Sequence, residues 1–407
     1  MQAVIMAGGQ GTRLRELTKD LIPKPMIEIA GKPLLQWQIE NLKANGFDDI
    51  IVVVGHLGDL ILDKFGDTVK YFEEDEPLGT AGALPMIEDL LDKEFALIYG
   101  DLFFDIDFQR MIDFHHKHYG EGTLLVHPNS HPYDSDLIEL SENYLINRTI
   151  YKDDLSRRRE WFHNYTNAGI FIFDKCILRS FPHKKKIDLE KDVFPYLNYL
   201  YAYMSPEYVK DIGTIDRFYQ VEQDVKNNIP PRRNLKHKQK AIFLDRDGTI
   251  NKKTNYVFST VQFELYPDAA EAIKLINQSE YLAIVVTNQP VVARGECTMR
   301  GVDYIHAKME TLLGMEGAYL NDIFFCPHHP DKGFVGENPL YKIECNCRKP
   351  KPGMIYAAAE RYNIDLTQSW MIGDTEVDYL TGLNAGVGTI IIGQDVYNLL
   401  SAVRRII

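Results

Sequence analysis

Two stretches of this 407-residue chain gather residue types that handle phosphate. Near the start, "VIMAGGQGTRL" runs an apolar segment into Gly8, Gly9 and Gly11. Glycines there let the backbone turn tightly and aim N–H groups at phosphate oxygens. Thr12 adds a hydroxyl, and Arg13 a guanidinium that can grip phosphate with two N–H groups. In "IPKPM" two prolines stiffen the chain around Lys24, which aims its ammonium at the same anion. The loop lacks the Gly-Lys-Ser/Thr ending of a P-loop. Past the midpoint, "AIFLDRDGTIN" begins at Ala241 and ends an apolar run in Asp245, Asp247 and Gly248. A carboxylate at a strand end can attack phosphorus and form an aspartyl-phosphate. A second one, two residues on, can protonate the leaving alkoxide and then activate water.

A third constellation is sulfur-rich. Of the five cysteines, Cys326 stands in "CPHHP" with His328, and Cys345 and Cys347 form "ECNC". One S/N pair and one S/S pair close a tetrahedral Cys₃His zinc site, with His329 as a substitute ligand. No position is left for water, so the zinc expected here is structural. Cys176 and Cys297 complete an odd count. With no basic, apolar leader at the N-terminus, that count predicts a reducing, cytoplasmic setting.

The elements that must position these groups follow from hydrophobic patterning. In the first half, strand-like runs include "AVIMA", "DIIVVVG", "VKYFEE", "FALIYGD" and "AGIFIFD". Helical stretches such as "PLLQWQIENLKANG" lie between them, the alternation of a mostly parallel α/β sheet. "KNNIPPRRNLKHKQK", residues 226–240, is polar, basic and contains Pro-Pro, and reads as a linker. A second α/β series follows in "AIFLD", "LAIVVT", "DIFFC", "WMIGD" and "TIII". Two domains are expected, 1–225 and 241–407, each long enough to bury a core. The net charge of −13 argues against a nucleic-acid binder. No charge-free apolar run is long enough to span a bilayer. The partners expected are small phosphorylated molecules rather than nucleic acid or membrane, and self-association into a homo-oligomer is left open.

The first half resembles the sugar-1-phosphate nucleotidyltransferases, through G-G-x-G-T-R-L followed by P-K-P-M. The resemblance spans roughly residues 1–225 and implies a Rossmann-like mixed sheet. It places Glu74, Pro77, Leu78, Gly79 and Thr80, in "EDEPLGTAGAL", around the base and ribose. Gly8, Gly9, Gly11, Thr12, Arg13 and Lys24 then face the triphosphate, with Arg13 and Lys24 also taking the leaving group. Asp101 of "YGD" and Asp211 of "DIGT" match the pair that holds Mg²⁺. Asn167 and Gly169 of "NAGIFIF" match sugar contacts. The family's Glu-Lys-Pro element is replaced by "TIYKDDLSRRREWF", where Lys152 is the nearest candidate, and Glu190 and Lys191 of "DLEKDVFP" are candidates for the sugar side. "EPLGTAG" is most similar to the mannose-1-phosphate guanylyltransferase branch, which favours GTP.

The second half resembles the haloacid dehalogenase (HAD) superfamily of phosphatases, with four motifs in order over residues 240–393. The resemblance implies a three-layer α/β/α Rossmannoid. Asp245 and Asp247 form the first motif. Thr287 and Asn288 of "AIVVTNQ" face the phosphate, as does Lys349 of "CRKPKPGM". Asp374 of "MIGDTEVD" joins Asp245 and Asp247 around Mg²⁺, with Asp378 in support. The zinc pattern, and Arg348 as a substrate contact, are similar to the histidinol-phosphatase and heptose-bisphosphate-phosphatase group. "TNQPVVARGE" departs from that group's commoner T-N-Q-S-G-I-A-R-G at Pro290, which leaves leaving-group specificity open.

Joined in one chain, the two resemblances imply a bifunctional enzyme. A phosphatase would strip the 7-phosphate from D-glycero-D-manno-heptose 1,7-bisphosphate. A guanylyltransferase would then convert heptose 1-phosphate and GTP to GDP-heptose and pyrophosphate. Two alternatives stand beside it: a mannose- or other hexose-1-phosphate nucleotidyltransferase fused to a histidinol-phosphate-like phosphatase, and a nucleotide-sensing first half that regulates the phosphatase.

Overall fold

A computed structural model describes residues 1–9, 14–153, 160–333 and 335–407. They fall into two compact units, Met1–Val126 with Ile138–Thr149 and Asn167–Asn234, and His127–Leu137 with Ile150–Thr166 and Leu235–Ile407. This is not a single cut at 226–240. Two short segments of the first half belong with the second unit, and the stretch read as a linker carries a helix, Ile229–Arg233.

Eleven strands are named along the first half: β1 (Gln2–Met6), β2 (Ile50–Val54), β3 (Lys70–Glu73), β4 (Glu94–Tyr99), β5 (Leu102–Asp105), β6 (Gly122–His127), β7 (Leu137–Leu140), β8 (Ile146–Ile150), β9 (Thr166–Asp174), β10 (Leu200–Met204) and β11 (Tyr208–Asp211). Among the described residues nine form one sheet in the order β8-β7-β9-β4-β1-β2-β3, with β6 against β9 and β10 against β6. β1 runs parallel to β2 and β4, while β9 is antiparallel to β4, so the sheet is mixed. The central strands read as unbroken apolar runs because both their faces are covered. Ile5, Val52, Ile98 and Ile170 join one core with Leu35, Ile39 and Leu42 of helix α1 (Leu34–Ala44). A second helix, α2 (Phe108–His118), is capped by Asp107, which accepts from the Gln109 N–H at 3.2 Å. β5 and β11 pair antiparallel outside the main sheet, with Asp211 opposite Leu102.

The second unit holds β12 (Lys240–Leu244), β13 (Tyr281–Asn288), β14 (Asp322–Cys326), β15 (Trp370–Gly373) and β16 (Gly388–Ile391). They pair in parallel in the order β14-β13-β12-β15-β16. Helices α3 (Ala269–Gln278), α4 (Met299–Met315), α5 (Gly353–Tyr362), α6 (Glu376–Ala385) and α7 (Leu399–Ile406) complete it. Alternate residues of β12 enter different cores, Ile242 and Leu244 on one face, Ala241 and Phe243 on the other. That alternation makes three layers. Strand order reverses around β12, and in open α/β sheets such a switch point opens a crevice at the carboxyl ends of the strands.

Within this unit the segment Trp161–His163 lies along α4. The Phe162 N–H donates to Thr311 Oγ1 at 2.9 Å, and the Thr311 hydroxyl donates to the Phe162 carbonyl at 3.1 Å. His163 meets Glu310 through Nδ1 and Asp303 through Nε2, the latter at 3.2 Å. Leu137, Ile150 and Phe162 form a small apolar cluster. No helix among the described residues is long and apolar enough to cross a membrane.

Candidate active sites

In the first unit a cleft of about 790 Å³ opens beside the ends of β1 and β4. Gly8, Gly9, Lys24, Glu74, Pro77, Gly79 and Thr80, expected at the nucleotide, line it, as does Asp101, expected at the metal. Leu78 is buried behind them. Gly11, Thr12 and Arg13 lie outside the described residues. Lys24 Nζ donates to Asp101 Oδ2 at 2.7 Å. The β5–β11 register sets Asp211 beside Asp101, and the Ile212 N–H donates to the Asp101 carbonyl at 3.0 Å. Asp211 is ion-paired with Arg217. The two carboxylates stand at paired strand ends, and each holds a cationic side chain.

The far wall comes from the segment around Ile187, of which the sequence singled out Glu190 and Lys191 but not Lys184 or Lys186. The Ile187 N–H donates to the Leu78 carbonyl at 2.9 Å, the Ala81 N–H to the Ile187 carbonyl at 3.2 Å, and the Leu189 N–H to Thr80 Oγ1 at 2.8 Å. Gly79 has φ +86°, and a Cβ there would come within 2.5 Å of the Ile187 carbonyl oxygen. The glycine is what admits the second segment. This fold-back brings Lys184, Lys186 and Lys191 to the cleft, where their charge can meet a triphosphate or a sugar phosphate. "HKKK" looks like a solvated charge run, and only the long-range backbone pairing reveals its place.

Asn167 Nδ2 donates to Glu190 Oε1 at 2.8 Å, and the Gly169 N–H donates to Asn167 Oδ1 at 2.7 Å, so these three expected sugar-side residues form one group. Burial, and after it the Glu190 carboxylate, pushes the Tyr99 phenol well above its ordinary range. Tyr99 also lines the cleft. Burial pushes the Glu74 carboxyl up to about 7, and its Oε1 is enclosed with no hydrogen-bond partner. Lys152 is not brought to this group. It belongs to the second unit, where its ammonium donates to Asp134 at 3.1 Å. The replacement of Glu-Lys-Pro left its alignment without an anchor, and the chain there packs with the other unit.

In the second unit the switch point carries the phosphatase residues. Asp245 follows β12, and its N–H donates to the Ile372 carbonyl at 2.9 Å. Lys349 Nζ sits 2.8 Å from Asp245 Oδ1 and 2.6 Å from Asp378 Oδ1. Burial pushes Asp245 up to about 6 against the pull of Lys349. Burial opposes the charge on Lys349, but Asp245 and Asp378 outweigh it and raise its pKa. Asn288 fixes the Lys349 backbone from both sides, donating to its carbonyl at 3.1 Å and accepting from its N–H at 3.0 Å. Thr287 is buried at the end of β13. Arg348 Nη1 donates to the His328 carbonyl at 3.1 Å.

Asp245, Asp374 and Asp378 each offer an oxygen within 4.8 Å of the others. Asp374 Oδ1 is enclosed without a hydrogen-bond partner, and its other oxygen is 2.7 Å from Lys253 Nζ. Gly248 has φ +91° and lies where a Cβ would collide with the Asp374 carboxylate. This donor set fits a hard divalent cation. Asp247, also expected at the metal, places no carboxylate oxygen in this side-chain group. Its carboxylate is turned away into donors from Arg246, Gln289 and Asn251.

The sulfur cluster forms as expected. Cys326, Cys345 and Cys347 Sγ atoms are 3.3 to 3.5 Å apart, and His328 Nδ1 is 3.4 Å from Cys347 and 3.6 Å from Cys326. A tetrahedron built on Zn–S bonds has edges of about 3.8 Å, so these four atoms fit one zinc ion. His329 is not among them. Its Nδ1 accepts from the Asp331 N–H at 3.2 Å.

A family model described as nucleotidyl transferase matches residues 2–228, and one described as HAD-hydrolase-like matches residues 346–403. A D-glycero-alpha-D-manno-heptose-1,7-bisphosphate 7-phosphatase of Burkholderia mallei is 40% identical over 152 residues, covering 37% of this chain and 78% of that protein. A mannose-1-phosphate guanyltransferase of Kluyveromyces lactis is 32% identical over 228 residues, 52% of this chain, and this chain spans 61% of its length. The crystal structure of HddC from Yersinia pseudotuberculosis matches with 26% identity and a TM-score of 0.48, covering 55% of this chain and 99% of that one. The chain therefore belongs to the nucleotidyl transferase family and carries a HAD-like phosphatase as its second half, which makes it an enzyme of both types.

Proposed function

We propose that this enzyme removes the 7-phosphate from D-glycero-D-manno-heptose 1,7-bisphosphate and then joins heptose 1-phosphate to GMP from GTP, releasing pyrophosphate. The observation that carries the reading is the pairing of two equipped sites in one chain. One hydrolyses a phosphomonoester, and the other uses a sugar phosphate as nucleophile. The relative matched by the second half acts on a heptose bisphosphate by its name, and the product of such a step is a substrate of the right class for the first half.

In the phosphatase an Asp245 oxygen attacks the 7-phosphorus and the bond to the sugar oxygen breaks. Asp247 gives that oxygen a proton. Water then attacks the aspartyl-phosphate, Asp247 takes the water's proton, and inorganic phosphate leaves. Lys349 neutralises phosphoryl charge throughout. Mg²⁺, which Asp245 and Asp374 would hold, supplies further neutralisation when bound. In the transferase a sugar-phosphate oxygen attacks the α-phosphorus of GTP and the bond to the β-phosphate oxygen breaks. Lys24 and the three cleft lysines bring two anions together, so positioning and charge neutralisation carry the rate. Asp101 and Asp211 would hold Mg²⁺ there. Zinc at the sulfur cluster would fix the loop that places Arg348 and Lys349 at the phosphate.

Full-length protein given heptose 1,7-bisphosphate, GTP and Mg²⁺ should yield phosphate, pyrophosphate and a guanosine diphosphate sugar, identified by mass spectrometry. The same preparation should contain one zinc per chain. Phosphate release with no nucleotide sugar from any nucleoside triphosphate would favour a sensing first half. Equal or better turnover of mannose 1-phosphate would favour the second reading, which the guanyltransferase relative supports.

A further inference from the structure

Arg246 lies between the two aspartates of the phosphatase site and is fully buried, at 0% exposure. An interior guanidinium is costly unless all its donors are matched, and a neutral side chain of similar size would be cheaper for stability alone. Its Nε donates to Asp247 Oδ1 at 3.2 Å, and Nη2 reaches both carboxylate oxygens at 2.9 and 2.8 Å. Nη2 also meets Gln289 Oε1 at 2.9 Å. Nη1 lies 3.2 Å from His306 Nε2. A guanidinium only donates, so His306 Nε2 accepts and the ring is neutral with its proton on Nδ1. Burial, and then Arg246 itself, lower the His306 pKa well below its ordinary value, in agreement with that tautomer. His306 is fixed in turn, edge-on to Phe325 with centroids 5.2 Å apart.

The other side of the carboxylate is held as firmly. Gln289 Nε2 donates to Asp247 Oδ2 at 2.9 Å and to Thr287 Oγ1 at 3.0 Å. Asn251 Nδ2 donates to Asp247 Oδ1 at 2.9 Å. Asp247 thus cannot rotate about its own side chain while the His306–Arg246–Gln289 bracket stands. The same bracket ties it to Thr287, on the phosphate-binding side.

We propose that Arg246, braced by His306 and Gln289, is a positioning residue that holds the Asp247 carboxylate in the one orientation from which it can pass a proton to the leaving sugar oxygen and take one from the attacking water. The proposal rests on the phosphatase reading of this half. It predicts a leaving-group signature that loss of fold does not imitate. An alkyl phosphate needs a proton on its leaving oxygen, whereas p-nitrophenolate leaves without one. Water attack on the aspartyl-phosphate needs Asp247 with either substrate.

The test uses the full-length protein with Mg²⁺ and compares a sugar phosphomonoester with p-nitrophenyl phosphate by rapid mixing. In Arg246→Gln, kcat for the sugar phosphate should fall by about 100-fold with little change in KM, the scale of a general acid–base contribution. With the aryl phosphate the variant should release one equivalent of nitrophenolate per site in a burst and then turn over slowly. Arg246→Lys should behave in the same way, because an ammonium cannot bridge both carboxylate oxygens from a planar fork. Equal losses on both substrates with no burst, or wild-type kinetics, would overturn the proposal. If the Arg246 variants do not fold, Gln289→Leu and His306→Leu remove the bracket from either side and should show the burst, and wild-type kinetics in both would equally overturn it. Turnover of both substrates by the wild type carries the phosphatase reading independently, and its absence would overturn reading and proposal together.

Discussion

Glu74 shows how far a single residue could be read from sequence. Its type and position beside "PLGTAG" placed it at the nucleotide, and it does line the cleft. What the sequence could not supply is its environment, an enclosed carboxylate oxygen with no partner and a carboxyl raised by burial from 4.5 to about 7. A carboxyl raised in the folded state binds its proton more tightly there than in the unfolded chain. It therefore lowers stability progressively as pH rises through that window. Glu74→Gln should leave the first unit's unfolding midpoint near wild type at pH 5 and raise it above wild type at pH 8. A difference of the same size at both values would contradict this origin. Asp247 marks the opposite limit. Its role in a motif was legible, but the direction of its carboxylate depends on Gln289 and Asn251, which no spacing rule connects to it.

At the scale of elements, the strands that could be read were those buried on both faces. "IIVVV" and "AIVVTN" became β2 and β13 because continuous apolar runs have no other stable home in an α/β fold. β8, with the polar interior "NRT", carries no such run, and β10, "LYAYM", is apolar but only half-buried at its tyrosines; both escaped notice. The docking of Trp161–His163 on α4 was also out of reach, since Phe162 and its partner Thr311 lie 149 positions apart. This docking is partly electrostatic. Burial works against the His163 imidazolium, but Glu310 and Asp303 outweigh it and push its pKa up to about 10 from 6.5. A raised histidine stabilises fully below pH 6.5 and loses that contribution as pH climbs through 10. His163→Gln should lower the second unit's melting temperature by a few degrees at pH 6, a shift of the size expected for about 1 kcal/mol. The deficit should close by pH 10.5. A constant deficit would assign His163 to packing alone.

For the whole molecule, two sites on one chain impose an order on the chemistry. On the proposed function, the phosphatase opens one end of a bisphosphate and leaves the anomeric phosphate for the transferase. Asp245→Asn should abolish phosphate release while sparing transfer. The variant should form the nucleotide sugar from GTP and heptose 1-phosphate but not from the 1,7-bisphosphate. Loss of both reactions in a folded variant would show that the halves do not work independently. The two-enzyme organisation was legible because each half carries its own ordered motifs. The allocation of residues 127–137 and 150–166 to the second unit was not, because a chain that leaves one unit and returns gives no compositional sign.

That excursion has a consequence for how the protein is made. Phe162 is synthesised 149 residues before the threonine that covers its backbone. At roughly 5–20 residues per second, the gap lasts about 10–30 s on the ribosome. Throughout it, Phe162 and Trp161 wait without α4 to shield them. A gene fragment ending before α4 carries an apolar strap without the helix it docks on. Expressed alone, the transferase half should gain solubility when that strap is made polar.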